Sequence, residues 1–379
     1  MGMKESKLIR LSKSSLSIHE QLELIKTLDN EFLGYGDVTK RFEDSLSKSL
    51  GTNAIAVNSG TSALILSLQI AGISKDDIVI APSFTYLATI QAITALGAIP
   101  YFCDVSLKGH ISIEKIPSDL IHKAKAIIVM HYGGVEIEMK CLLKWAEDNK
   151  LRVIEDAAHS FGSTQYCKKI GERDFDFVCY SFDGIKNITT AEGGCICAKN
   201  KNDQLRLKDI RLLGVKGDTK KRQLNLRTWE PEVSEQGWRA HMSNVNAAIG
   251  IAQLNRSREL WEKRKTLANF YYENLINYSD FLRLIIPKDN GVVPHIYPIV
   301  ILSEVKLKKI FKAFKANSIQ YGRHYFPCHK LDFFKNYPHT NLKNTTYLYE
   351  HLISIPLHCD LTRDQQIFVI ETLIRNIKD

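Results

Sequence analysis

Between Ala54 and Ile154 the chain repeats one alternation, a short apolar run, a polar turn and a helical stretch, and that alternation restricts its fold more than any other feature. The runs Ala54–Val57, Ile78–Ala81, Ile99–Cys103 and Ala126–Met130 are uncharged and too short for buried helices, so they read as strands. Helices are predicted between and after them, at Ala63–Ala71 before Gly72, Tyr86–Leu96 before Gly97, and Met139–Asn149. Strands joined by helical crossovers run parallel, and strands without a polar face must be covered on both sides. The expectation is an α/β protein with a large, mostly parallel sheet between helical layers. Upstream, a helix is predicted at Ile18–Leu28, and Val38, Phe42, Leu46 and Leu50 line one face of another that ends at Gly51.

At 379 residues the chain has room for a large domain, 1–254, and a smaller C-terminal α+β domain, 255–379. A long helical segment, Ser243–Leu275, bridges the two, followed by strand Ile296–Ile301 and helix Val305–Ala316. The formal net charge is +9, a sign that suits nucleic acid, an anionic membrane or a phosphorylated small molecule. Zinc-finger spacing and aromatic–basic clusters are missing and the basic residues are dispersed, so a phosphorylated small ligand, or solubility alone, accounts for the sign, with neither nucleic acid nor membrane expected as partner. With no long apolar segment and no signal-peptide core at Met1–Ser6, the expected location is the cytoplasm. The eight cysteines, Cys103, Cys141, Cys167, Cys179, Cys195, Cys197, Cys328 and Cys359, contain no CxxC pair and read as reduced core residues, with no metal expected.

Chemistry concentrates in two places. The turn between Phe177–Tyr180 and Cys195–Ala198 carries Lys186, and a lysine held between buried strands loses affinity for its proton. Only the free amine attacks an aldehyde, so a Schiff-base lysine benefits from such a place; the alternative is a solvated loop lysine. The strand Leu151–Glu155 ends in Asp156-Ala157-Ala158-His159, at the position where α/β sheets build their sites. A carboxylate there can pair with a protonated ring nitrogen; the alternative is that Asp156 caps a turn and His159 is a core histidine. Asn58-Ser59-Gly60-Thr61-Ser62 adds a glycine between strand and helix, able to hold a phosphate on first-turn amides. Gly34-Tyr35-Gly36 lacks the third glycine and the preceding strand of a dinucleotide site, which argues against a nicotinamide dehydrogenase.

Asp156-Ala157-Ala158-His159, Tyr180-Ser181-Phe182 and Ile185–Gly194, in that order, resemble the sugar aminotransferases of the DegT/DnrJ/EryC1/StrS family, from about Phe32 to the end. The resemblance implies an aspartate aminotransferase-like (fold type I) architecture and pyridoxal 5'-phosphate as cofactor. Lys186 would hold the cofactor aldehyde and Asp156 its ring nitrogen, with Tyr86 stacked on the ring and His159 at the ring hydroxyl. Gly60, Thr61, Ser62 and Ser181 would bind the phosphate. Arg239, where the family often has asparagine or lysine, would reach the neighbouring subunit's phosphate in a homodimer. The basic residues Lys216, Lys220, Lys221, Arg222 and Arg227 would lie near that shared site, and His324, His329 and His358 near the sugar. The implied substrates are an amino acid donor, L-glutamate by expectation, and a nucleotide-linked keto-deoxysugar for surface polysaccharide such as O-antigen. A sugar 3-dehydratase of the same fold, which has histidine in place of this lysine, and a non-catalytic cofactor-binding regulator are the alternatives.

Overall fold

The computed structural model describes residues 8–30, 32–164, 168, 170–223, 226, 229–288 and 291–378. Strands β1 (Ala54–Val57), β2 (Ile78–Pro82), β3 (Ile99–Cys103), β4 (Ala124–Met130), β5 (Arg152–Asp156), β6 (Phe177–Ser181) and β7 (Gly194–Ala198) form one sheet in the order β1-β7-β6-β5-β4-β2-β3. From β3 through β6 every pairing is parallel, whereas β7 runs antiparallel to both β6 and β1. The exception has a local cause: the segment joining β6 to β7 contains no helix to cross the sheet, so the chain returns along its neighbour.

Side-chain alternation then assigns the two faces. Along β4, Ile128 packs with Val57, Phe177 and Ile196 beneath helix Gly60–Ile70, while Ile127 and Val129 point the other way, toward Leu142 and Ala146 of helix Met139–Asp148. Each is fully buried, a gain of roughly 1.5–3 kcal/mol per large aliphatic side chain. Helix Gly60–Ile70 is almost wholly apolar because it is enclosed, and the Ser59 hydroxyl caps it by accepting from the Ser62 amide at 3.0 Å. Cys103, Cys179, Cys195, Cys197 and Cys328 are buried free thiols; Cys167 and Arg227 lie outside the described residues.

Strands β8 (Leu282–Leu284), β9 (Tyr297–Ile301) and β10 (Leu352–Ile355) make a second, antiparallel sheet in the order β10-β9-β8. It shares a core with helices Ser257–Leu275, Glu304–Ala316 and Arg363–Lys378. Two elements differ from expectation. The Ser243–Leu275 segment is two helices, Asn244–Asn255 and Ser257–Leu275, because Arg256 leaves helical geometry at φ −106°, ψ 11°. The helix expected from Tyr86 begins at Leu87, with Tyr86 in extended geometry at its N-cap, which frees the ring from the helix surface.

The N-terminal segment crosses to the second sheet. Ile9 pairs with Ile319, the Leu11 carbonyl accepts from the Leu357 amide at 3.0 Å, and Lys13 meets Asp360 at 2.6 Å. Among the described residues no helix is long and apolar enough to cross a membrane.

Candidate active site

The parallel strands end on a cavity of about 350 Å³, within the range of roughly 300–1,000 Å³ usual for small-molecule sites. Its walls include the last residues of β5 and β6, Asp156 and Ser181, the loop after β1 at Ser59–Thr61, and Lys186 from the β6–β7 turn. The N-terminal segment contributes Leu11 and Ser12, and the second sheet contributes Ile355.

Lys186 is placed by backbone. The Phe182 amide donates to the Gly193 carbonyl and the Thr190 amide to the Phe182 carbonyl, both at 2.8 Å, closing the turn. Asn187 fastens it by donating to the carbonyls of Phe161 and Val293, both at 2.9 Å. Lys186 lines the cavity, and its amine stands 3.4 Å from His295 Nε2. Burial pushes its pKa down to about 8, with Arg264 adding to the effect and the carboxylates of Asp156 and Asp183 opposing it.

Asp156 is buried and held by two donors, the Thr89 hydroxyl at 2.7 Å and the Ala158 amide at 3.2 Å. With one donor on each oxygen, the carboxylate keeps lone pairs for a cation in the cavity. Two glycines permit the strand ends to converge here. A Cβ on Gly60 would stand 2.8 Å from Ser181 Cβ, and one on Gly194 would stand 2.5 Å from the Tyr180 carbonyl oxygen. The start of helix Gly60–Ile70, with Ser59, Thr61 and Ser181 around it, offers first-turn amides and hydroxyls to the cavity, groups suited to an anion.

The Gly133 amide donates to His159 Nδ1 at 3.3 Å, which leaves Nε2 as the protonated nitrogen, 2.8 Å from the Tyr325 hydroxyl. Burial, then the proximity of Lys186 and His324, drives the His159 pKa well below its usual value. Tyr86 and Tyr325, with ring centroids 5.8 Å apart, stand on one side of the cavity, and His324 bonds Ser354 Oγ at 2.8 Å on its rim.

Lys186, Asp156, His159, Gly60, Thr61, Ser181, Tyr86 and His324 therefore share one cavity. Ser62, His329, His358 and Arg239 are outside its walls. The Ser62 hydroxyl donates to Asn58 Oδ1 at 2.7 Å, because helix rotation turns this position away from the first-turn opening. His329 is engaged with Ser83 Oγ at 2.7 Å, and His358 is buried at the turn before Leu361. Arg239 runs beside the end of β1, where its carbonyl accepts from Asn58 Nδ2 at 3.3 Å. Sequence reasoning missed His295, Thr89 and the hydroxyl of Tyr325. His295 left one faint signal, a lone histidine before an apolar strand; Thr89, a turn beyond Tyr86, looked like any helix residue.

Residues 15–374 match the model of the DegT/DnrJ/EryC1/StrS aminotransferase family. An uncharacterized protein of Methanocaldococcus jannaschii is 33% identical over 365 residues, 94% of each chain. The UDP-4-amino-4,6-dideoxy-N-acetyl-beta-L-altrosamine transaminase of Campylobacter jejuni is 31% identical over 357 residues, 92% of each chain. The fold is that of Helicobacter pylori PseC, an aminotransferase of pseudoaminic acid biosynthesis, with TM-score 0.88 at 24% identity over 98% of this chain and 100% of that one. A Streptococcus pneumoniae protein solved in its PLP-form has TM-score 0.87 at 24% identity, over 98% of this chain and 99% of that one.

Proposed function

Because this chain belongs to the DegT/DnrJ/EryC1/StrS aminotransferase family, we propose that it is a pyridoxal phosphate-dependent transaminase acting on a nucleotide-linked ketosugar. One observation carries the reading: an amine with a lowered pKa and a buried carboxylate border the same cavity, beside a helix N-terminus suited to phosphate. That donor set fits the cofactor. Lys186 suits its aldehyde, Asp156 its ring nitrogen, and Gly60, Thr61 and Ser181 its phosphate, with Tyr86 and His159 beside the ring. When bound, this group supplies an electron-withdrawing ring that accepts charge released at a substrate carbon.

The chain's own residues do the rest. Lys186 Nζ, neutral in much of the population near pH 8, takes the proton from the donor's α-carbon and returns protons on the reverse half-reaction. Thr89 and the Ala158 amide keep Asp156 oriented toward the ring nitrogen. The apolar side chains of Leu11, Ile355 and Leu357 line the cavity and give the reacting carbon a partly apolar surround.

The C. jejuni relative's name supports a UDP-linked amino-deoxysugar as the product class, and L-glutamate is the donor we propose. We read the protein as a cytoplasmic homodimer serving surface-polysaccharide synthesis, with Arg239 reaching the partner's phosphate site. The break at Arg256 supports a division near residues 254 and 255 into a cofactor unit and a smaller C-terminal unit. The test is spectroscopic: the purified protein should be yellow, bleach with L-glutamate and recover its colour with a nucleotide-linked ketosugar. A colourless protein that takes up no pyridoxal phosphate would refute the proposal.

A further inference from the structure

Arg264 sits mid-helix in Ser257–Leu275, on the inward face it shares with Leu260, Leu267 and Tyr271, and only 3% of it is exposed. Its guanidinium donates to backbone carbonyls, those of Pro294 at 3.4 Å, His295 at 3.2 Å and Ile185 at 3.4 Å. Its Nε is buried without a partner, and among the described residues it forms no ion pair; the one titratable side chain favouring its charge is the thiol of Cys359. Enclosing a cation without a counter-charge costs several kcal/mol by order of magnitude, so such an arrangement points to a task other than stability.

The positions of the three carbonyls suggest that task. Ile185 immediately precedes Lys186, and the Pro294–His295 pair ends in the imidazole facing the Lys186 amine. One planar group thus ties the lysine turn to the segment that carries its neighbour, which a fork of five donors can do and an ammonium cannot. We propose that Arg264 is a positioning residue behind the site, presenting an uncompensated positive charge to the Lys186 amine while fixing the amine against His295. The inference rests on the reading of Lys186 as the reacting amine.

The charges around Lys186 set the direction of the effect. Asp156 and Asp183 favour its protonated form, and Arg264 opposes it, in the same sense as the larger influence of burial. The facing rings of His159, His295 and His324 are themselves pushed toward neutrality, His295 by burial first and then by Lys186, His159 and Arg264. A cation beside an amine is a recognised way of keeping that amine free to attack a carbonyl carbon.

The experiment uses the full chain stripped of cofactor and needs no turnover. Trace acetylation with acetic anhydride across a pH series, read by mass spectrometry against exposed Lys48, gives the midpoint at which Lys186 becomes reactive. The wild-type midpoint is expected near about 8. Arg264→Met should raise it by about one pH unit, a roughly tenfold loss of labelling below the midpoint. Arg264→Lys, which keeps the charge, should leave it near the wild-type position. An unmoved midpoint in Arg264→Met overturns the inference, and so do equal shifts in both variants, since those would report packing rather than charge. Near-ultraviolet circular dichroism checks folding, and Arg264→Gln replaces Arg264→Met if the latter does not fold. A protein that never turns yellow but shows the shift refutes the proposed function alone; one that transaminates without the shift refutes only this inference.

Discussion

Glu155 and Asp156 are neighbours on β5, point to opposite faces of the sheet, and open onto two buried polar clusters built on contrary principles. Glu155 is wholly enclosed and fully answered: His131 Nε2 donates to it at 2.8 Å, and Arg173 donates to both of its oxygens at 2.6 and 3.0 Å. Burial alone would raise its pKa, but His131 and Arg173 outweigh burial and hold the carboxyl below its ordinary value. Across the sheet, His295 and Arg264 are buried and Lys186 is partly so; the His295 ring stands 3.4 Å from the Lys186 amine, and Arg264 donates only to backbone carbonyls. There the amine gives up its proton affinity instead of finding a full counter-charge, and its pKa falls to about 8. Enclosure is common to both clusters. Neutralisation from within separates the one that fixes structure from the one left reactive.

The contrast breaks most visibly at the two central residues. Lys186→Ala should lower transamination by on the order of 10³-fold or more while far-ultraviolet circular dichroism stays native, measured by coupled assay of 2-oxoacid release. Glu155→Gln should do the opposite, destabilising the fold by roughly 3–5 kcal/mol in urea titration, because Arg173 and His131 keep their buried positions without the charge that answers them.

The pH dependence of stability sharpens the difference. The folded protein holds the Lys186 proton less tightly than the unfolded chain does, so between about 8 and the ordinary lysine value near about 10 the unfolded state binds more protons. Stability of the cofactor-free protein attributable to Lys186 should therefore be lowest below about pH 8 and rise through that interval. Lys186→Met should remove this rise, and wild-type and variant urea midpoints compared at several pH values will show it.

The smallest effect is expected beside Asp156. Thr89→Val removes one donor from a buried carboxylate, at a cost of about 1–3 kcal/mol in that group's hydrogen bonding. Cofactor affinity, measured by fluorescence quenching, should weaken by about tenfold. A Thr89→Ser variant that keeps the hydroxyl should bind as the wild type does.

Much of this organisation was readable along the chain. Apolar runs separated by amphipathic or wholly apolar helices fix a parallel sheet, since no other arrangement buries such strands on both faces. The glycine at position 60 and the acid closing β5 marked the sheet edge where a ligand belongs. The reversal of β7 was less visible, because the direction of a strand depends on what its connection can span. His329 and His358 illustrate the limit from the other side: a histidine in a promising segment is not thereby in the cavity, and both have their own neighbours in the fold.

What the sequence determined by itself was the strands and most helices of the larger sheet, and the placing of Asp156 at a strand end and Lys186 in a turn between strands, because periodicity, turn residues and strand ends are local properties of a chain. What only the tertiary structure decided was the company those residues keep. His295 reaches Lys186 across 109 positions, and Arg264 reaches the same turn from a helix 79 positions away through bonds to backbone carbonyls. Every residue has a carbonyl, so such a bond leaves no trace in the order of side chains. It comes into being when folding sets an enclosed guanidinium beside those oxygens.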